Sequence, residues 1–177
     1  TATPRFIDQL YALLTGGHGP ERLWYRLPDR DLVLVHPKRW TYVTDDLAGV
    51  IDSAGRTDVR LQSGGADSRV PDGGEQPLLP LLWSIGMRYR QSLVAPLTLT
   101  DAIQVRRWPD LGRLRDDPID VRIIAQLQRQ ERTAPQLAEQ LALDLGQVIG
   151  AFNALLLAAF AVPASRDVTP KPAAPQA

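Results

Sequence analysis

The sequence predicts an α+β protein, with a small antiparallel meander and helices in the N-terminal half and three short helices in the C-terminal half. Residues 23–43 contain short runs of strand-forming residues that are separated by turn residues. Residues 117–162 contain three apolar runs with helical spacing, and each begins with a residue that can cap a helix. A chain of 177 residues can bury a core in one domain or in two small ones.

The N-terminal half is predicted to begin with a helix from Pro4 to Leu14, which Gly16 and Gly17 end. Turns that contain Pro28 and Pro37 then separate three strands. The predicted elements after the first helix are strands at 23–27, 32–36 and 40–43, a short helix capped by Asp45 or Asp46 that runs through Ile51, and a strand at 59–61.

Composition also predicts the domain boundaries. Residues 62–74 are rich in glycine, serine and aspartate, which indicates a flexible loop. A helix at 78–91 then completes an α+β domain over residues 1–92. A second domain is expected over 93–162, and the proline-rich residues 163–177 are expected to form a disordered tail of a larger protein.

The second domain is predicted to contain a strand at 102–106 and then the three capped helices. Asp117 is the expected N-cap of the first helix, with Pro118 at its first position and its end near Gln130. Thr133 and Gln136 form a capping box at the start of the second helix. Asp144 and Gln147 repeat this pattern, and the third helix is expected to end near Phe160. The residues expected to be buried together are Leu127, Leu137, Leu141, Val148 and Phe152.

Two segments carry a family resemblance. Asp120-Val-Arg-Ile-Ile-Ala-Gln-Leu followed by Thr133-Ala-Pro-Gln-Leu-Ala-Glu-Gln-Leu resembles the winged-helix superfamily of helix-turn-helix proteins, over about a quarter of the chain. In that superfamily the third helix enters the major groove and presents cationic or amide side chains. Here the third helix offers only Gln147 and Asn153, and residues 161–165 run into the tail without a two-stranded wing. The resemblance therefore implies a winged-helix-like unit that has lost its DNA-reading residues.

The third helix also carries a strip of small residues, Gly146, Gly150, Ala154 and Ala158, opposite its apolar side. Glycine inside a helix costs about 1 kcal/mol relative to alanine, so two of them indicate close packing against another element. That element is expected to belong either to the first half of the chain or to a second copy or partner protein. The uncharged run 145–162 also fits a membrane span with a small-residue dimer face, but its polar residues and the lack of flanking basic residues argue against one.

The densest basic cluster consists of Arg106, Arg107, Trp108, Arg113 and Arg115. Arginine forks can hold a phosphate and a tryptophan ring can stack on a base, so these residues are candidates for binding a phosphate-bearing nucleotide. Asp110, Asp116 and Asp117 lie among the arginines. A salt-bridged connector is therefore the other interpretation.

Composition excludes several classes of function. The 20 basic and 20 acidic side chains balance, so no global field attracts nucleic acid or an anionic membrane. The absence of cysteine excludes disulfides and thiolate chemistry and favours a cytoplasmic location. His18 and His36 are the only histidines, and no nucleophile elbow or phosphate loop is present.

We therefore expect a non-enzymatic bacterial module for protein interaction, regulation or signalling, with no catalytic, cofactor-binding or metal-binding residues. A protein partner or a second copy of the chain is the expected partner, and nucleic acid and membranes are not. Two alternatives stay open, a DNA-binding transcriptional regulator and a sensor that binds a phosphate-bearing nucleotide through the cluster from Arg106 to Arg115.

Overall fold

A computed structural model describes residues 3–16, 23–26, 31–36, 40–63 and 74–164 and has an α+β architecture. The predicted tail falls outside these ranges except for Pro163 and Ala164. The helices are α1 Phe6–Thr15, α2 Leu47–Asp52, α3 Leu78–Arg88, α4 Val121–Arg129, α5 Ala134–Leu141 and α6 Leu145–Leu157. The strands are β1 Leu23–Arg26, β2 Asp31–His36, β3 Thr41–Val43, β4 Arg60–Ser63, β5 Gln76–Pro77, β6 Ile103–Val105 and β7 Ala161–Pro163.

The predicted meander is the centre of a five-stranded antiparallel sheet with strand order β4-β1-β2-β3-β5. Helix α1 contacts β4, and α2 contacts α3. Asp46, one of the two proposed caps, accepts a hydrogen bond of 2.9 Å from the backbone N–H of Gly49 at the start of α2. The sheet and these helices place α3 beside the C-terminal helices.

The helices after Thr133 and Asp144 start at the predicted caps, but the Gln147 side chain does not complete the predicted capping box, and the first helix has a different cap. The capping box of Thr133 and Gln136 is present, and Asp144 accepts a hydrogen bond from the Gln147 N–H. The prediction that Asp117 caps α4 is wrong, because Asp120 is the N-cap. The Asp117 carboxylate instead accepts hydrogen bonds from Ser84 at 2.5 Å and Arg88 at 3.1 Å on α3.

Residues 161–163 also differ from the prediction, because they form β7 rather than the start of the tail. This strand pairs antiparallel with β6. In the sequence, β6 precedes the three helices and β7 follows them. Pro163 has no N–H, and the next residue supplies the hydrogen bond from its own N–H to the carbonyl of Ala102 at 3.0 Å. On the other edge of β6, Ile103 and Arg132 form two backbone hydrogen bonds with each other.

One hydrophobic cluster includes residues from both sides of the proposed domain boundary at 92/93. Trp83 of α3 is buried, its ring meets the Phe160 ring edge-on at 6.2 Å, and its Nε1 donates to the carbonyl of Asp117. Of the five core residues expected together, Leu141 is half-buried and the other four are fully buried. The helical half therefore shares its core with the N-terminal half.

We predict that Phe152→Ala lowers the free energy of unfolding by about 3–5 kcal/mol, because it removes a fully buried ring from α6 and leaves a cavity. Thermal and denaturant melts measure the change. Gln128→Ala, on the exposed side of α4, is the control and should leave the melt almost unchanged. A Phe152→Ala protein whose midpoint moves by only about a degree would contradict the assignment of this ring to the core.

Candidate functional site

The small-residue strip of α6 packs against α3 of the same chain. A Cβ atom built on Gly150 would lie 2.6 Å from the carbonyl oxygen of Met87, and one built on Gly86 would clash with the backbone of Ala154. Backbone atoms cannot move aside as a flexible side chain can, so these glycines set how closely the two helices approach.

The ends of the strip are covered as well. A Cβ atom on Gly146 would lie 3.5 Å from the Arg90 side chain and backbone, and Ala158 is buried. The cover is therefore an element of the first half of the chain, which is one of the two possibilities considered above. Gly150, Ala154 and Ala158 are buried inside the protomer and Gly146 is half-buried, so a partner protein would meet a different surface.

The rest of α6 is enclosed too. Every residue from Val148 to Ala158 is buried, whereas a helix that reads DNA presents one side to the major groove. Val148, Phe152 and Leu155 are fully buried on the side away from the strip. Since α5 also contacts α6, the helix has neighbours on several sides.

Asn153 is a structural polar residue rather than a surface amide. Its Oδ1 accepts a hydrogen bond of 3.0 Å from the Val94 N–H. Its Nδ2 donates to the carbonyls of Tyr89 and Ser92 at 3.0 and 2.9 Å. These bonds hold the connector after α3, residues 89–95, against the middle of α6, and they satisfy a side chain that would otherwise be costly to bury.

A second set of polar contacts holds the same connector from the N-terminal side. Arg5 forms an ion pair with Asp8 at 2.6 Å and donates to the Tyr89 hydroxyl, the Ser92 hydroxyl and the Leu93 carbonyl. The Asp8 carboxylate also accepts from the N–H of Ala95 at 2.7 Å. The connector is thus bound by α6 on one side and by the start of α1 on the other.

The environment of Asp8 favours its charged form. Burial alone would raise the pKa of this carboxyl, but the hydrogen bonds from Arg5 and from the Ala95 N–H outweigh burial and hold the pKa below its ordinary value of 3.8. The same ion pair raises the pKa of Arg5, although burial opposes this. The pair therefore stays ionised at neutral pH and acts as a structural clamp.

The predicted phosphate-binding residues lie on a loop between β6 and α4, where the guanidiniums of Arg107 and Arg113 have different neighbours. Arg106 and Arg107 both donate a backbone N–H to the carbonyl of Phe160, and the Arg107 guanidinium lies 4.9 Å from the centre of the Phe160 ring. Arg113 pairs with Asp110 at 3.4 Å. Arg115 is exposed, as is Trp108. A compact phosphate site needs guanidiniums that converge on one point. Here the guanidinium of Arg107 lies at Phe160 and that of Arg113 at Asp110.

Arg106 also borders a cleft of about 410 Å³ between the ends of α1 and α6 and the strand β7. Apolar and small side chains form most of its wall. The polar groups in the wall are the Thr15 hydroxyl, the Tyr11 phenol and the Arg106 guanidinium. The lining residues are Tyr11, Leu14, Thr15, Arg106, Leu156, Ala159, Ala161, Val162 and Pro163.

Sequence reasoning missed Asp8, and it proposed Asn153 for a different role. Both residues bond to partners that lie 59 or more positions away, such as Val94 for Asn153 and Ala95 for Asp8. Two signals were available in the sequence. Asp8 is the only charged residue of the mainly apolar α1, and Asn153 is an amide in the middle of the uncharged α6.

The other sequence motifs are placed as follows. His18 lies outside the described residues, and His36 is at the end of β2. In the described ranges, His, Asp and Glu side chains form no group of three or more that could hold a metal ion. Across those same ranges, no helix combines the length and the apolar character that a bilayer span requires.

No protein-family model, curated protein sequence or solved structure matches the chain. Arguments about its function therefore depend on its own residues and contacts.

We predict that Gly150→Leu lowers the free energy of unfolding by about 1–3 kcal/mol or more, because the new side chain would overlap the Met87 carbonyl. Denaturant melts and sedimentation measure stability and mass on the same sample. Gly74→Ala, where the nearest atom to a new Cβ is 3.8 Å away, is the matched control and should be tolerated. A Gly150→Leu protein that is more stable, with unchanged mass, would show that the strip is exposed.

We predict that Asp8→Asn destabilises the protein by about 1–3 kcal/mol at neutral pH, because Arg5 loses its buried counter-charge. The pKa of Asp8 is lowered in the folded state, so its contribution is complete above the unfolded value and is lost as pH falls through the folded value. The difference from the wild type should therefore shrink below about pH 4.

Denaturant melts from acidic to neutral pH test this dependence. Asp58→Asn is the control, because Asp58 also has a lowered pKa through its hydrogen bond with Arg56 but is exposed, and should cost little at any pH. An Asp8→Asn deficit that stays constant across the acid range would refute the ionised clamp.

Proposed function

We propose that this chain is a non-enzymatic module for protein interaction, regulation or signalling, and that its helical half is a winged-helix-like unit that does not read DNA. The observation that carries the proposal is the enclosure of α6, in which every residue from Val148 to Ala158 is buried. A helix that reads base edges must present one face to the major groove. Here α3 packs along one side of α6, and the burial of residues 148–158 supports the absence of such a face.

The charges of α5 and α6 point in the same direction. Between Thr133 and Leu157 the only charged side chains are Glu139 and Asp144. DNA affinity comes largely from cations that neutralise phosphates, and two acidic side chains would repel the backbone instead. The strand that follows α6, β7, pairs with β6, which precedes the three helices in the sequence.

Exposed apolar side chains support an interaction role. Within the described residues, five large apolar side chains are more than a third exposed, and two of them are tryptophans. Tryptophan is enriched among the residues that dominate binding energy at protein interfaces. The five are Trp40, Leu47, Leu99, Trp108 and Val121.

We predict that the full chain binds duplex DNA no more tightly than the nonspecific range of about 10⁻⁴ to 10⁻⁶ M, and that Gln147→Ala leaves this affinity unchanged. Selection from random duplexes followed by gel shifts at two salt concentrations measures it. An operator bound at nanomolar concentration, with Gln147→Ala weakening it, would overturn the proposal in favour of a transcriptional regulator.

The complementary experiment tests for a protein partner. The tagged full chain is used to capture proteins from a nuclease-treated lysate of its own source, and each captured protein is then purified and recombined with it. We expect a complex that re-forms from the two purified proteins without nucleic acid. Proteins that are captured only when the nuclease treatment of the lysate is omitted would contradict a protein-interaction function.

A further inference from the structure

We propose that the loop from Arg106 to Arg115, here called the Arg-Trp loop, is the docking site for an acidic segment of a partner protein that carries an apolar anchor residue. This inference rests on the proposed interaction function and names the surface and the chemistry of the partner. It depends on three observations, namely the order of the loop, the exposure of its tryptophan and its excess of arginine.

The Arg-Trp loop is held to the body of the protein at both ends. At its start, the backbone N–H groups of Arg106 and Arg107 donate to the Phe160 carbonyl at 2.8 and 3.3 Å. In its second half, Asp110 caps a short turn through the Gly112 N–H at 3.2 Å, and the Leu114 side chain is buried. A loop that is already ordered loses little conformational entropy when a partner binds.

Trp108 lies in the first half of this ordered loop and is 44% exposed. The next residue, Pro109, is buried, so the backbone on one side of the ring is anchored while the ring faces solvent. An aromatic ring on a fixed backbone is the type of group that gives a large binding energy when a partner covers it. This ring is the expected contact for the apolar anchor of the partner.

The charge of the loop selects an acidic partner. Residues 106–116 contain four arginines and two aspartates, in a chain whose total charge is zero. All four arginines are exposed. The pair between Arg113 and Asp110 has an N–O distance of 3.4 Å and side chains that are 80% and 66% exposed, so a carboxylate of a partner can replace Asp110 at little cost.

The distribution of the arginines favours an extended segment over a compact phosphate group. Arg107, which precedes Trp108 in the sequence, is positioned over the Phe160 ring. Arg113, which follows Trp108, pairs with Asp110. Carboxylates spaced along a peptide can meet such guanidiniums one at a time, with the ring between them. A phosphate group would need several guanidiniums to converge on it.

The experiment is selection from a random peptide library displayed on phage, with the immobilised full chain as target. We expect enriched peptides to contain several Asp or Glu residues around an aromatic or leucine residue. Trp108→Ala should weaken the binding of these peptides at least about tenfold, measured by fluorescence anisotropy. The double variant Arg113→Glu, Arg115→Glu should weaken it to a similar degree and should remove its salt dependence.

Trp40→Ala is the matched control, because Trp40 is 39% exposed but lies in the N-terminal half, immediately before β3. It should retain peptide binding, and each variant should keep the wild-type melting temperature. Enriched peptides without acidic residues, peptides that bind Trp108→Ala equally well, or a library with no enrichment would each overturn the proposal. Saturable quenching of tryptophan fluorescence by inorganic pyrophosphate without peptide binding would assign the loop to a phosphate-bearing ligand instead.

Failure of this inference is distinguishable from failure of the proposed function. A partner that re-forms its complex equally well with wild type and Trp108→Ala would leave the interaction function intact and would place its contact on another surface. The absence of any such partner, together with a tight DNA operator, would remove the proposed function itself.

Discussion

The close approach of α3 and α6 is the contact on which the rest of the structure depends. Gly86 and Gly150 bring the two helix backbones so near that neither position has room for a Cβ atom without displacing main-chain atoms of the other helix. This distance sets where the chain leaves α3, and so places residues 89–95 where the Asn153 amide can bond to three of their backbone groups. The cost of two helical glycines is offset by dispersion contacts along the whole interface.

That contact also decides which surfaces are available to other molecules. In a helix-turn-helix protein that reads DNA, the recognition helix leaves one side free for the major groove. Here α6 is the part of the core that joins the helical half to the sheet half. Within the described residues of the helical half, the accessible surface includes loops and the exposed sides of α4 and α5. Among these, the Arg-Trp loop combines order, charge and an exposed ring.

Local signals in the sequence predicted the features that depend on neighbours only a few residues apart. The capping box of Thr133 and Gln136, the cap at Asp144 and the meander strands are of this kind, since turn and cap residues act within three or four positions. Asp117 illustrates the limit, because its position before a proline fits a helix cap, yet Ser84 and Arg88 provide partners from another helix. The strand β7 could not be predicted for the same reason, since its partner β6 precedes all three helices. In the sequence, the Arg-Trp loop was visible only as a cluster of arginines around a tryptophan. The structure was needed to show which of these arginines already have neighbours.

The small sheet formed by Arg132, β6 and β7 has a consequence for how the protein folds. The three helices can each begin to form through local contacts, because their caps lie within their own sequence. The small sheet forms only when Ile103 meets Arg132 and then Pro163, which closes two successively longer loops of the chain. Closing these loops has a larger entropic cost, which precedes any gain from the contacts. We therefore expect the helices to condense first and this seam to close late. Amide protons of β6 would then be among the last in the helical half to become protected during refolding.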